Sequence, residues 1–312
     1  MVDFWKNKKI LVTGGRGFVG SHVVEQLGLV KKVPSKNIII PDRKTVDLRD
    51  FESAKKIISK ADIVLHLAAD VGGIGYSSTH PATQLRNVLL IDANMFEAAS
   101  QARIEKFVCV SSAVAYPADA SSPLKEEDLF KGEPAKGGYG YGFAKRMAVV
   151  MTRAYKEEKR LNACVLLSAN SFGPGESFDL ESGHVIPSLI RKCFEFKKLE
   201  VWGDGNQIRD FFYVKDFAKA ILLAAEKLET SDPVNIGSGT SVTIKDLVGL
   251  IVKETGFRGE VYFDSTKPQG QKIRTVDVTK AKNLLGFEPS YSLEEGIRES
   301  INWYKENIYE HR

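Results

Sequence analysis

Five short apolar runs, each followed by a longer amphipathic stretch, constrain this chain more than any other feature. They are "KKILVTG" (8–14), "NIIIPD" (37–42), "ADIVLHLAA" (61–69), "KFVCVSS" (106–112) and "NACVLLSAN" (162–170). Runs apolar at nearly every position read as strands buried on both faces. Between them, residues 18–30, 50–60, 82–103 and 141–159 carry apolar side chains at helical spacing. Repeated strand–helix alternation predicts an α/β fold with a doubly wound parallel sheet. Ligands of such sheets bind beyond the carboxyl ends of the strands.

Beyond residue 170 the pattern loosens. "SFGPGESFDLESGHVIP" reads as a loop, 185–197 as a helix, and "LEVWGDGNQIRDFFYVKD" as a strand, a turn and another strand. Helices are expected at about 215–228, 243–256 and 293–307.

Composition excludes several functions. The net charge of +4 is spread over 312 residues without a basic block, which argues against a nucleic-acid surface but permits an anionic small substrate. Three cysteines (Cys109, Cys164, Cys193) without a C-x-x-C, and five histidines without ligand spacing, point away from disulfides and metal. The start, "MVDFWKNKKILVTGG", lacks the order of a secretory leader, and no apolar stretch approaches about 18 residues. A cytoplasmic protein with no membrane partner is the expectation.

The segment "ILVTGGRGFVGSHVVEQL" sets Gly14, Gly17 and Gly20 between a strand and a helix. Gly14 permits the tight turn, Gly17 lets backbone approach a pyrophosphate, and Gly20 lets helix pack on strand. The following helix N-terminus aims N–H groups at the anion. With Arg16, Phe18 and Val19 this loop predicts a dinucleotide site. In "IIIPDRKTVDLRD" an acid at the strand end favours the ribose hydroxyl of NAD, whereas an arginine there favours NADP. Asp42 and Arg43 stand side by side, and Asp42, nearer the strand, tips the expectation slightly to NAD. Asp47 and Leu48, then Leu67, Ala68 and Ala69 after the third strand, and Asn87 on the next helix complete the expected cofactor set. The fold expected is therefore Rossmann-type over 1–170, with a smaller mixed α/β substrate lobe over 171–312 whose chain partly returns to the first unit.

With a dinucleotide in place, "SSAVAY" (111–116) and "YGYGFAK" (139–145) acquire meaning. Tyr141 and Lys145, four apart, share one face of a helix; Tyr139 points elsewhere. Carbonyl reduction, or its reverse, needs a proton donor or acceptor beside the nicotinamide. Bringing a phenol from about 10 to neutrality takes about 4 kcal/mol of differential stabilisation, which a neighbouring ammonium and an oxidised nicotinamide favour. Ser112 would hydrogen-bond the reacting oxygen. The competing reading of each feature alone is an ordinary strand end and an exposed helical face.

Over essentially its whole length the chain resembles the extended short-chain dehydrogenase/reductase superfamily. Within it, the resemblance runs to the GDP-L-fucose synthases, NADPH-dependent 3,5-epimerase/4-reductases of GDP-4-keto-6-deoxymannose. The segments that carry it are "VTGGRGFVGS", "HLAADVGGIGYSSTHPATQLRN", "YGFAK", "SGHVIPSLIRK", "VWGDGNQIRDFFYVKD" and "DSTKPQGQKIRTVDVTKAKNLLGF". The resemblance implies Ser112, Tyr141 and Lys145 as the hydride-transfer triad and His184 as the epimerisation acid. It also implies Asn170, Arg191, Trp202, Arg209 and Arg274 along a nucleotide-sugar site, and a homodimer through the helices at 82–103 and 141–159. Two positions depart from the pattern. Val114 stands where the family carries its cysteine base, Cys109 lying five residues before it on the strand, and Asp42 departs from the NADPH preference.

Three functions follow as expectations. The first is a GDP-L-fucose-synthase-like 4-ketoreductase, moving hydride at C4 of a GDP-linked sugar. The second is a nucleotide-sugar 4-epimerase or 4-dehydrogenase that retains NAD. The third, a silent dinucleotide-binding scaffold, predicts a damaged Ser/Tyr/Lys set, which this chain does not have.

Overall fold

A computed structural model describes residues 4–180, 183–267 and 270–311. Small parts of the resembling segments, residues 182 and 268–269, lie outside these, as do the first three residues of the chain. In chain order the first half contains β1 (Ile10–Thr13), α1 (Phe18–Leu29), β2 (Ile38–Ile39), α2 (Phe51–Ile58), β3 (Ile63–His66), α3 (Ile74–Thr79), α4 (Pro81–Ala102), β4 (Lys106–Ser112), α5 (Tyr139–Lys159) and β5 (Ala163–Ser168). The second half contains β6 (Asn170–Phe172), α6 (Val185–Glu195), β7 (Lys198–Trp202), β8 (Ile208–Arg209), β9 (Phe211–Tyr213), α7 (Val214–Lys227), β10 (Val234–Ile236), β11 (Val242–Thr243), α8 (Ile244–Thr255), β12 (Glu260–Asp264), β13 (Ile273–Arg274), α9 (Thr279–Leu285) and α10 (Leu293–Tyr304).

Among the described residues, one parallel sheet runs in the order β10-β5-β4-β3-β1-β2. The chain goes from β1 to β2 on one side and then crosses to β3 on the other, so the switch point lies between β1 and β3. This is the Rossmann-like arrangement expected. The five apolar runs form five of its six strands because both faces are covered. One face packs Ile10, Val12, Leu65, Val108 and Leu166 against α1 and α7, and the other packs Leu11, Val64, Phe107, Val165 and Leu167 against α2, α4 and α5.

Three differences from the sequence reading have local causes. β2 is reduced to Ile38–Ile39, because Pro41 lacks an amide to continue the ladder at the sheet edge. The fifth run breaks at Ala169, whose amide bonds Ile236 O; Asn170–Phe172 then leaves the sheet and pairs in parallel with β9. The stretch read as a loop thus opens with a strand. α5 begins at Tyr139, two residues earlier than the spacing suggested.

The C-terminal elements gather around Phe172, Ile190, Leu199, Tyr213, Leu247 and Ile297. Asp216, fully buried on α7, fixes the chain ahead of α10 by accepting from Ser290 N at 2.9 Å and Tyr291 N at 3.1 Å. Replacing Asp216 with Ala strands both amides. The expected loss is about 3 kcal/mol, read as a lower urea midpoint with an unchanged slope.

Candidate active site

At the end of β1 the chain doubles back on itself. Gly14 has φ of +68°, a conformation that L side chains rarely adopt, and a Cβ on Gly20 would lie 2.1 Å from Gly14 O. A Cβ on Gly17 would meet Gly14 O at 3.2 Å and otherwise project into open space. No side chain caps α1, and its first turn carries no acid. Bare amides beside a surface that only glycines can form fit a dinucleotide pyrophosphate. Thr13 ties this loop to the one after β3: its Oγ1 accepts from Leu67 N at 3.1 Å and Ala68 N at 3.2 Å.

Around that cradle the expected cofactor residues occupy distinct positions. Phe18 and Val19 are partly buried against the C-terminal core, and Gly20 is buried beneath the loop. Asp42 accepts from Arg16 Nη1 at 2.7 Å and from Lys44 N at 2.9 Å, and Arg43 is exposed beside it. Arg49 clasps Asp47 with two nitrogens, and this holds the Asp47 carboxyl at about 2. Asn87 accepts from Arg49 and donates to Asp70 at 2.8 Å. Leu48 buries its side chain in the core, and its carbonyl accepts from Asn94. Ala69 is half-buried where β3 gives way to the loop.

β4 and α5 supply the candidate chemistry. Ser112 ends the strand and its Oγ accepts from Val114 N in the following 3-10 turn. Ser111 Oγ donates to Lys145 O at 2.7 Å, and Lys145 Nζ donates to Val110 O at 3.0 Å, so the lysine is locked to β4 by backbone and side chain. Its Nζ stands 5.9 Å from the Tyr141 ring centre. Tyr139 is exposed and packs on Phe143. Cys109 is a wholly buried strand residue.

Burial pushes the Tyr141 phenol up; Lys145 pulls it down, while Asp92 and Asp70 push it up further. A single ammonium does not outweigh desolvation and two carboxylates, neither of which could be placed from the linear sequence.

A second group forms where β6, β8 and β13 meet. Arg274 Nη2 donates to Asn170 Oδ1 at 2.9 Å, and Asn170 Nδ2 donates to Asp210 O. Burial and the neighbouring Arg274 bring Arg209 down to about 10. Two partly desolvated guanidiniums side by side favour a dianion. His184 Nδ1 meets Glu176 Oε1 at 2.6 Å; that bond raises the histidine, while burial and Arg274 oppose it. Arg191 and Trp202 have other neighbours. Arg191 pairs with Glu195 one helical turn away and donates to Phe178 O, because both lie on the inward face of α6. Trp202 is exposed on β7 with Lys267 over its ring.

The sequence reading missed Glu176, Asp70 and the buried pair His66 and Asp92. Two signals were available: a histidine closing an apolar strand, "IVLH", and an acid inside an apolar helical run, "VLLIDANMF".

The profile of the NAD dependent epimerase/dehydratase family matches residues 10–237. The chain belongs to that family. It is 32% identical over 308 residues to GDP-L-fucose synthase of Sinorhizobium fredii, covering 96% of each chain. Among solved structures, a GDP-6-OMe-4-keto-L-xylo-heptose reductase from C. jejuni superposes with a TM-score of 0.90 at 25% identity, covering 96% of this chain and 98% of that one. A GDP-L-fucose synthetase from Naegleria fowleri bound to NADP gives 0.88 at 27% identity, covering 98% and 94%. This family member is an NAD(P)-dependent enzyme of the epimerase/reductase type.

The Glu176–His184 bond has a measurable consequence. In Glu176→Gln the His184 titration, followed by NMR, should move to lower pH, since the carboxylate that holds its proton is gone. An unmoved titration would detach Glu176 from the histidine.

Proposed function

We propose that this chain reduces the C4 ketone of a GDP-linked sugar and leaves C3 and C5 as it finds them. The substrate class rests on similarity to GDP-L-fucose synthases and to a GDP-4-keto-heptose reductase. The direction rests on the same similarity, since one of those structures is a 4-keto-heptose reductase.

The reduced nicotinamide, when bound, supplies the hydride that C4 receives. Tyr141 gives its phenolic proton to O4 as negative charge builds there. Ser112 Oγ hydrogen-bonds the same oxygen and orients the ketone. Lys145, fixed to Val110 O, stabilises the phenolate left behind until solvent restores the proton. Arg209 and Arg274 take the sugar-nucleotide pyrophosphate, and Asn170 aligns Arg274. Val114 offers no group to remove a proton, so the family's cysteine step has no counterpart here. His184, held by Glu176, is left to donate to a sugar hydroxyl.

The dinucleotide is held by the loop from Gly14 to Gly20 and by Leu67, Ala68 and Ala69. We assign the preference to NAD, although a similar solved enzyme carries NADP. Asp42 already engages Arg16 at 2.7 Å, and its carboxylate opposes a second phosphate at the ribose.

Reaction of GDP-4-keto-6-deoxymannose with NADH in D2O should yield the C4 alcohol without deuterium at C3 or C5. Deuterium at either carbon would overturn the reading of Val114; release of tightly held NAD with redox-neutral turnover would favour a 4-epimerase instead. Tyr141→Phe should lower kcat by about 10²–10⁴-fold with dinucleotide binding retained. Asp42→Ala frees Arg16 and should move the NADP/NAD ratio of kcat/KM towards NADP by about tenfold, worth about 1.4 kcal/mol.

A further inference from the structure

The turn that follows β6 carries a carboxylate that the fold buries, Glu176, at 6% exposure. An ionised carboxylate is costly there unless a charge or hydrogen bonds compensate it. Its Oε1 lies 2.6 Å from His184 Nδ1, the short distance of a charge-assisted bond. His184 stands at the N-cap of α6, yet its ring makes no capping bond to that helix. The ring is turned to Glu176 instead, and its side chain is 55% exposed. The pair thus runs from a closed end, the carboxylate, to an open end, the imidazole. With Nδ1 taken by Glu176, Nε2 is the ring nitrogen left for a ligand.

Counting protons gives Nε2 its role. The pair holds either two protons, one between the groups and one on Nε2, or only the inner one. With two, Nε2 is a donor wherever the inner proton sits: an imidazolium beside a carboxylate, or a neutral ring beside a carboxylic acid. With one, the ring is protonated at Nδ1, and Nε2 holds a lone pair and is a base. The bond to Glu176 raises the histidine above its ordinary value, with burial and Arg274 opposing it. Burial raises Glu176 as well, with His184 pulling it back. Both directions keep the second proton on the pair as pH rises. Glu176 and Arg274 are the charged groups that bear on the ring among the described residues, and the first turn of α6 adds no acid.

We propose that Glu176 is a positioning residue: it claims Nδ1, keeps Nε2 loaded with a proton at neutral pH, and so fixes His184 as a donor to the sugar that cannot serve as a carbon base. This extends the reading of Val114. That position lacks a group to remove a proton from C3 or C5, and a proton-loaded Nε2 cannot take the task over. Glu176, buried behind the ring, acts through the histidine and not on the substrate. Asn170, at the start of β6, bonds Arg274 at 2.9 Å, so the strand and the turn after it orient two donors of the substrate lobe, one at each end. The sugar as recipient rests on the reductase reading; the place of the proton on Nε2 does not.

The first test needs no substrate. In the full chain labelled with ¹⁵N histidine, the His184 signals are identified by their loss in His184→Gln. At about pH 7 Nε2 should be protonated in the larger share of molecules, and a lone pair there in the majority overturns the proposal. The second test is the pH profile for reduction of GDP-4-keto-6-deoxymannose. Its kcat/KM should fall as pH rises through the raised His184 titration, and in Glu176→Gln that fall should come about one pH unit lower. Glu176→Asp, which restores the charge, should return it part of the way. A uniform loss of activity in Glu176→Gln, with the fall left in place, marks a merely structural residue and overturns the proposal. Should that variant not fold, the nitrogen spectrum of the unaltered protein decides. Should the unaltered protein not reduce this substrate, the reductase reading fails, and the same spectrum still decides where the proton lies.

Discussion

Everything at the ligand-binding edge depends on how closely two backbone segments approach where the sheet changes direction. Gly20 passes so near Gly14 that no side chain fits between them, and Gly14 itself abuts the backbone of Ala68. That approach brings the loops after β1 and β3 into one wall. Thr13 secures it by accepting two amides of the neighbouring loop with a single hydroxyl oxygen. The same hydroxyl also lies 2.8 Å from Nδ1 of the buried His66 behind it. A cofactor cradle and a buried charge site are thus joined by one side chain.

The electrostatics of the candidate active site follow from depth. Lys145 is buried and Tyr141 partly so, and each is governed by the charges around it. The lysine gains a carboxylate neighbour and keeps its proton. The phenol gains one ammonium but two carboxylates, and also keeps its proton. A site arranged this way stores protons on both members of the pair.

Much of the scaffold was legible in sequence, because buried parallel strands must be apolar at consecutive positions and the glycines must recur where backbone crowds backbone. The strand ends were less so. β2 stops short because a proline sits at an edge, and the fifth run splits because Ala169 turns its amide to β10. Within the site, the Tyr141–Lys145 spacing follows from helix geometry. The direction of the phenol's shift does not, since it depends on Asp92 and Asp70, which lie far before Tyr141 in the chain and are brought to bear on it only by folding. Arg191 and Trp202 have residue types that suit an anionic nucleotide; in the fold a helix-internal carboxylate pairs with the first and an edge strand exposes the second.

The sheet is also completed late. β10 pairs with β5 only after the intervening elements have been laid down, and α7, which precedes it, covers the face formed by Val108 and Leu166. During synthesis the nascent sheet therefore emerges with one unpaired edge and one uncovered apolar face, both of which invite association with other chains. Truncating the polypeptide between β5 and β10 would preserve the glycine cradle in sequence while leaving the emerging product sticky, a hazard for anyone seeking a minimal nucleotide-binding fragment.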